Sequence, residues 1–262
     1  MLQSYRLFLD IAYDGSDFLG WQRQASGRTV QGVIEVELSK LCGGRQVVVI
    51  GSGRTDTGVH AAGQVAHVDL TTKLPPDEVS AKLKRMVPPD IAIGHTAVVD
   101  DDFQARYSAR RRSYVYSITL RRDPFRRRYS WAQPMTLDVD AMRATADALL
   151  GAHDFTALSK NNPDTANMIC RVERVEIARD GEEMTIAIDA DRFLYGMVRL
   201  IVGTLVDVGS GKKRREEVVT LLESRIRAER STVAPACGLS LISVRYERAL
   251  IDRFGLPERF AL

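Results

Sequence analysis

The spacing of apolar residues along the first hundred residues predicts strands and helices in alternation. Leu7, Leu9 and Ile11 alternate with polar positions, which indicates a strand with one buried face. Apolar residues recur three and four positions apart after Thr29, a residue type that commonly caps helices. The predicted elements are strands over 5–13, 47–50, 66–70 and 91–99, and helices that begin after Thr29 and at Pro75-Pro76-Asp77 and end before Pro88.

The remaining residues predict the same order of elements a second time. Asp180-Gly181 marks a hairpin turn between strands 171–178 and 184–190. The other elements are a strand over 114–120, a helix capped by Asp138, an apolar helix over 193–208, a helix over about 215–227 and a strand over 239–246. We therefore predict an α+β protein of two ferredoxin-like β-α-β-β-α-β halves, 1–104 and 105–262, joined into a mixed sheet with a central cleft.

Composition is that of a globular chain with a substantial core. Of 262 residues, 45% are hydrophobic and 27% are charged. No apolar run is long enough to span a membrane, and Arg6 and Asp10 interrupt the only apolar stretch that could form a signal peptide. Three widely separated cysteines argue against a disulfide framework and a cysteine-rich zinc site, so we expect a cytoplasmic protein.

Positive charge is concentrated in one segment. Residues 106–128 contain nine arginines and one acid, a net +8, whereas the rest of the chain carries −5. Aromatic residues interleave with these arginines, and such pairs suit phosphates and unpaired bases. The segment predicts nucleic-acid binding; a solvated face or an arginine-rich dimer surface is the alternative. The candidate RNA-binding residues are Arg106, Arg110, Arg111 and Arg112.

The loop Gly51–His60 is the strongest chemical signal. Asp56 stands where a dinucleotide-binding turn needs glycine, and Val59-His60 replaces the lysine and hydroxyl residue of a phosphate-binding loop. Asp56-Thr57-Gly58 matches the aspartic-protease tripeptide, but that chemistry needs a second carboxylate, and no second such tripeptide occurs. The structural alternative is a turn in which Asp56 only bonds its own backbone.

Arg199 favours a functional Asp56. It is the only charge between Phe193 and Val206, and a buried guanidinium needs a carboxylate partner. Gly196 and Gly203 lie on the same predicted helix, and their lack of a side chain is expected to allow another backbone segment to approach the helix closely. Asp56 is a candidate carboxylate partner for Arg199, and Asp191 and Asp207, which are nearer to Arg199 in sequence, are the alternatives. An aspartate paired with arginine stays ionised, as a nucleophile must.

Histidines give no metal signal. Neither HxH nor HxxxH spacing occurs, so we expect no metal site. His67 falls on the polar side of its predicted strand and is expected at the surface.

Five motifs in order resemble the tRNA pseudouridine synthase A family over nearly the whole chain. Residues 160–170 match none of its motifs. The motifs are Tyr13-Asp14-Gly15 with Phe18 and Gly20-Trp21-Gln22, Arg54–Ala61, Phe103–Ala109 with Tyr114-Val115-Tyr116, Phe193–Arg199, and Pro235–Leu239.

The resemblance implies an isomerase that converts uridine to pseudouridine in the tRNA anticodon stem-loop, at about positions 38 to 40, after the base leaves its stack. It implies no cofactor, and a homodimer in which one tRNA contacts both subunits. By match, Asp56 is the nucleophile and Arg199 pairs with it, Tyr114 packs on the target base, Arg54 helps to displace that base, and Leu239 lines the pocket.

A carboxylate nucleophile suits this chemistry on the residues alone, since attack on C1′ or C6 divides one hard step into easier ones. The alternative is a non-catalytic RNA-binding protein built on two ferredoxin-like halves. Against it, the strand from Gln64 to Leu70 lacks the aromatic motif of an RNA-recognition module.

Overall fold

The computed structural model describes residues 1–163, 165–227 and 231–262. They form an α+β protein, which confirms the predicted class. The chain divides into two compact units, Met1–Arg111 with Leu241–Leu262, and Arg112–Ser240. This division differs from the predicted halves, 1–104 and 105–262, because the last 22 residues belong to the first unit.

The first unit contains the predicted β-α-β-β-α-β order. It comprises β1 (Gln3–Tyr13), α1 (Val30–Leu41), β2 (Val49–Gly51), β3 (His60–Thr72), α2 (Pro76–Met86) and β4 (Ile91–Val99). β1 pairs antiparallel with both β3 and β4, and β2 pairs antiparallel with β3. This is the strand order of a split βαβ unit.

The caps of both helices follow the sequence signals. The Thr29 hydroxyl accepts a hydrogen bond from the Gly32 amide at 3.3 Å, and α1 then buries Val30, Ile34 and Leu38 completely. Pro76, whose ring suits the first turn, begins α2. Local chemistry therefore accounts for where these helices start.

The second unit contains most of β5 (Ala109–Thr119), followed by β6 (Trp131–Ala132), α3 (Val139–Asp147), β7 (Gly151–Asp154), β8 (Ile169–Asp180), β9 (Glu183–Ala190), α4 (Met197–Gly209) and α5 (Arg215–Ser224). β9 pairs antiparallel with β5 and with β8, and β7 pairs antiparallel with β8. Gly181 takes a positive φ of 57° in the hairpin turn predicted at Asp180-Gly181.

The last strand and helix are β10 (Leu239–Tyr246) and α6 (Arg248–Phe254). β10 begins and ends as predicted, whereas α6, β6 and β7 were not predicted. In the first unit Phe8 packs against Phe103 and Phe260, with ring centroids 5.6 and 5.2 Å apart. The Tyr246 hydroxyl donates to the Ala105 carbonyl at 2.9 Å, which holds the end of β10 in this aromatic core.

His67 is buried, so its predicted surface position is wrong. Only 1% of it is exposed, and its Nδ1 accepts a hydrogen bond from the Ala105 amide at 3.1 Å. Both faces of β3 are covered around this residue, and burial, with the nearby Arg6, lowers the pKa of His67 to about 4. The imidazole is therefore neutral in the folded protein at pH 7.

Across the part of the chain that the structure describes, no helix combines the length and the apolar character needed to cross a membrane.

Candidate active site

The loop from Ser52 to Val59 connects β2 to β3 and carries Asp56. Its first residues are tied to β3 through a buried amide side chain, that of Gln64. The Ser52 hydroxyl donates to Gln64 Oε1 at 2.7 Å, and Gln64 Nε2 donates to the Gly53 carbonyl at 3.1 Å. The start of the loop is therefore held by side-chain bonds as well as by the strand that precedes it.

The middle of the loop is held by the last residue of β1 and by residues that follow this strand. Tyr13 Oη and Thr55 Oγ1 lie 2.8 Å apart in a hydrogen bond, and the Trp21 amide donates to the Thr55 carbonyl at 3.1 Å. Burial raises the pKa of Tyr13 to about 12, so its hydroxyl keeps its proton. Gly20 has a φ of +93°, and a Cβ there would lie 2.5 Å from the Thr55 carbonyl oxygen. Only glycine admits this approach.

The end of the loop is also fixed by backbone bonds. The Val59 amide donates to the Asp56 carbonyl at 3.1 Å, and the Gly58 amide donates to the Phe18 carbonyl at 3.3 Å. The turn thus has a closing bond between backbone groups, in which the Asp56 carbonyl takes part. His60 follows at the start of β3, and its Nδ1 accepts a hydrogen bond from the Gly15 amide at 3.0 Å.

Asp56 itself is partly exposed, and Arg54, two residues earlier, is exposed. The structure thus brings these two predicted residues together on one loop whose backbone is anchored on both sides of Asp56. A carboxylate held this way can meet a bound substrate with little loss of conformational freedom.

Sequence reasoning assigned no role to the side chains that position this loop. Tyr13, Gly20 and His60 belong to family motifs, and Gln64 marks the start of a predicted strand, but none of these patterns shows which residues they contact. The one local signal for residues Tyr13–Trp21 is that they follow or end a predicted strand, and this position does not reveal which later residues contact them.

Tyr114 lies on β5 in the second unit, opposite Ile188 of β9, with 9% of its surface exposed. Its ring packs edge-to-face against Phe193, with centroids 5.1 Å apart and planes at 89°. Such a contact fixes the ring orientation. Leu239, the first residue of β10, is buried in the same unit.

Arg199 lies in the first turn of α4 and is partly exposed, not fully buried as predicted. Its Nε donates to the Ala234 carbonyl at 2.7 Å, and the Ala234 amide donates back to the Arg199 carbonyl at 3.1 Å. The predicted close backbone contact is confirmed at Gly203, where a Cβ would lie 1.8 Å from the Thr232 carbonyl oxygen.

At Gly196 the prediction of a close backbone contact is wrong. This residue precedes α4 with a φ of +68°, and a Cβ there would meet the Lys160 side chain first, at 3.1 Å. Lys160 belongs to the stretch that matched no motif, of which Asp164 lies outside the described residues.

The candidate RNA-binding arginines lie along the start of β5 and just before it. Arg106 and Arg110 are exposed, and Arg110 Nη2 pairs with Glu247 at 2.7 Å. Arg111 and Arg112 are partly exposed, and Arg112 Nη1 donates to the Asp191 carbonyl at 2.7 Å. β5 begins five residues before its predicted start, so the last three of these arginines are strand residues with defined directions.

The site residues divide between the units. Asp56, Arg54, Arg106, Arg110 and Arg111 lie in the first unit, and Arg112, Tyr114, Arg199 and Leu239 lie in the second. The pairing of Arg199 with Asp56 stays a prediction.

Comparison with known proteins agrees with the motif resemblance. The family model described as tRNA pseudouridine synthase matches residues 11–108 and 145–247. The tRNA pseudouridine synthase A of Halalkalibacterium halodurans is 42% identical over 89% of this chain and 90% of its own length. The enzyme of the same name from Parvibaculum lavamentivorans is also 42% identical, over 92% of this chain and 99% of its own length.

Among solved structures, the archaeal box H/ACA sRNP Nop10-Cbf5 complex covers 91% of this chain and 47% of its own, at 12% identity and a TM-score of 0.33. That likeness supports no argument here. The sequence matches do, because they reach both units, and the residues matched by the family model include the Asp56 loop and α4. The chain therefore belongs to the tRNA pseudouridine synthase family and is a tRNA-modifying isomerase.

Proposed function

We propose that this enzyme isomerises uridine in the tRNA anticodon stem-loop, at about positions 38 to 40, on a base that has left its stack. Asp56 is the nucleophile. The observation that carries this proposal is the Asp56 loop: its backbone is anchored at Gly53, Thr55 and Gly58, yet the Asp56 side chain is partly exposed. An anchored, accessible carboxylate is what covalent catalysis requires.

The proposed reaction rearranges the bonds of the nucleoside and leaves its composition unchanged. The carboxylate adds to C1′ or C6 of the uridine, and the N1–C1′ bond breaks. The detached uracil turns so that C5 faces C1′, and a C5–C1′ bond forms. C5 then releases its proton to solvent, and N1 takes one up, so the composition of the nucleoside is unchanged. Release of Asp56 restores the enzyme, so the reaction needs no redox partner or group donor.

Residues on the second unit complete this proposal. The Arg199 guanidinium pairs with the Asp56 carboxylate and orients it towards the bound base. The Tyr114 ring, oriented by Phe193, packs on the target base, and Leu239 lines the pocket that receives it. In the first unit, Arg54 on the Asp56 loop helps to displace the base from the helical stack.

The proposal also covers the assembly. A homodimer binds one tRNA across both subunits in the cytoplasm, and Arg106, Arg110, Arg111 and Arg112 contribute to its phosphate contacts. Arg106 offers an exposed guanidinium, whereas Arg110 exchanges part of its pairing with Glu247 for phosphate. An exposed ion pair of this kind contributes about 0 to 1 kcal/mol, so this exchange costs little.

Mapping pseudouridine in an unmodified tRNA transcript tests the site assignment. We expect new pseudouridine only in the anticodon arm when the transcript is incubated with the wild-type enzyme. Pseudouridine elsewhere, with none in that arm, would contradict the proposed position while leaving the isomerase activity intact.

Tritium release from tRNA labelled at uridine C5 separates catalysis from binding. Isomerisation frees that hydrogen, whereas the alternative of a non-catalytic RNA-binding protein releases none.

Sedimentation of the free protein tests the homodimer in the same preparation, and a monomer mass would contradict it.

A further inference from the structure

An exposed turn in the second unit, Arg121–Tyr129, carries an aromatic side chain that the proposed mechanism does not use. Phe125 is 91% exposed, and Tyr129 is 51% exposed. Five arginines and one aspartate accompany them in these nine residues. Single exposed apolar residues are ordinary, but an exposed phenyl ring among arginines matches the composition of single-strand nucleic-acid contacts.

The turn holds Phe125 outward through its own hydrogen bonds. Asp123 Oδ1 accepts from the Phe125 amide at 2.9 Å, and the Asp123 carbonyl accepts from the Arg126 amide at 3.2 Å. The Tyr129 amide then donates to the Arg126 carbonyl at 2.8 Å. Because these bonds already order the backbone of the turn, the turn loses little further conformational entropy when a base stacks on the Phe125 ring.

Acidic neighbours orient two of the arginines. Arg121 pairs with Glu182 at 3.1 Å and Arg126 pairs with Glu183 at 2.5 Å. Arg122 is exposed, as is Arg127, which donates to the Pro124 carbonyl at 2.8 Å. Even with both glutamates and Asp123 counted, the surface keeps a net charge of +2.

We propose that the turn Arg121–Tyr129 is a tRNA-binding element in which Phe125 stacks on an unpaired base while Arg122 and Arg127 contact phosphates. The inference rests on the proposed function, since it assumes a tRNA substrate, and it adds a contact outside Arg106 and Arg110–Arg112. A second copy of the chain is the less suitable occupant, because a two-fold contact would place this positive surface against itself.

Paired substitutions at Phe125 test the stacking contact. Phe125→Ala should weaken the tRNA Kd by about 5- to 150-fold, the measured range for one base stacked on an aromatic ring, whereas Phe125→Tyr should change it by less than about threefold. A fully base-paired RNA duplex has no unpaired base, so both variants should bind it as the wild type does. Val36→Ala, at another exposed apolar position, is the matched control and should change neither affinity.

Salt titrations test the phosphate contacts separately. Arg122→Ala and Arg127→Ala should each reduce the log–log salt slope of tRNA binding by about 0.7 to 0.9, and Phe125→Ala should leave it unchanged because it removes no charge. When tritium release is measured over a range of tRNA concentrations, Phe125→Ala should reach the wild-type kcat at saturation but show a raised KM for tRNA.

Three outcomes would overturn the inference: wild-type tRNA affinity in Phe125→Ala, an equal loss of affinity for the duplex, or a drop in sedimentation mass that marks a protein–protein contact. None of them affects the isomerase activity on tRNA, which is tested separately because it fails if the wild-type enzyme itself releases no tritium from tRNA.

Discussion

Gly20→Ala should lower the activity of the enzyme by displacing the loop that carries Asp56, although Gly20 itself takes no part in the reaction. A Cβ at Gly20 would lie 2.5 Å from the Thr55 carbonyl oxygen and 3.1 Å from the Asp56 carbonyl carbon. Ordinary contacts begin at 3.4 Å, so the loop must move by about 0.9 Å to admit the methyl group. Misplacement of a catalytic group by about 1 Å can lower the rate about a hundredfold, and we expect kcat to fall by that factor.

The variant also carries backbone strain, because Gly20 has a φ of +93°. An alanine in left-handed backbone costs about 1 to 2 kcal/mol. Gly43→Ala is the matched control: its φ is +69°, and none of the described residues comes within 4 Å of its Cβ position. Both variants should lose stability in urea titrations, Gly20→Ala the more because of its overlap with Thr55, but only Gly20→Ala should lose kcat in the tritium-release assay.

Retention of more than about a third of the wild-type kcat by folded Gly20→Ala would refute this reasoning, since a displacement near 1 Å should cost far more. An equal loss of kcat in Gly20→Ala and Gly43→Ala would also refute it, because it would trace the lower rate to backbone strain and not to displacement of the Asp56 loop.

Three further predictions concern stability and RNA contact. Burial lowers the folded-state pKa of His67 from 6.5 to about 4, so the stability gained by keeping its imidazole neutral is present above pH 6.5 and is lost as the pH falls towards 4. The free energy of unfolding should therefore decline by about 3 kcal/mol between pH 6.5 and pH 4, and His67→Gln should remove that decline. Replacing Arg110, Arg111 and Arg112 by alanine should weaken tRNA binding and flatten its salt slope, and an unchanged slope in filter binding would contradict their role. Tyr114→Phe should keep tRNA affinity while Tyr114→Leu loses part of the roughly 1 to 3 kcal/mol of a stacked base; equal affinities would count against stacking.

Elements with strong local signals could be predicted from the sequence. Thr29 and the pair Pro75-Pro76 mark helix starts that the structure confirms, and β4 and β10 have their predicted bounds. These elements depend on capping chemistry and apolar periodicity, which neighbouring residues determine.

Elements that depend on distant partners could not be predicted. The first residues of β5 include Arg110–Arg112, a charged run typical of a loop, and partners such as Glu247 and the Asp191 carbonyl stabilise them within a strand. β6 has two residues and too short a pattern to detect. His67 shows the same limit, since its burial follows from packing against Ala105 and Phe103.

The candidate site shows this division most clearly. Asp56 and Arg54 were predicted from motif and spacing, because reactive side chains at a strand end leave a local signature. The contacts of Thr55 with Tyr13 and Trp21 connect residues more than thirty positions apart, and no local pattern encodes them.

The central claim, that Asp56 is the nucleophile, is tested most directly by Asp56→Asn in two assays on one preparation. An amide of nearly the same shape cannot supply the carboxylate, so this variant should bind tRNA with wild-type affinity and release no tritium above background. Asp180→Asn makes the same chemical change in the exposed hairpin turn, where asparagine is equally suited, and should keep full activity. Multiple turnover by Asp56→Asn, freed of contaminating wild-type enzyme, would contradict the claim.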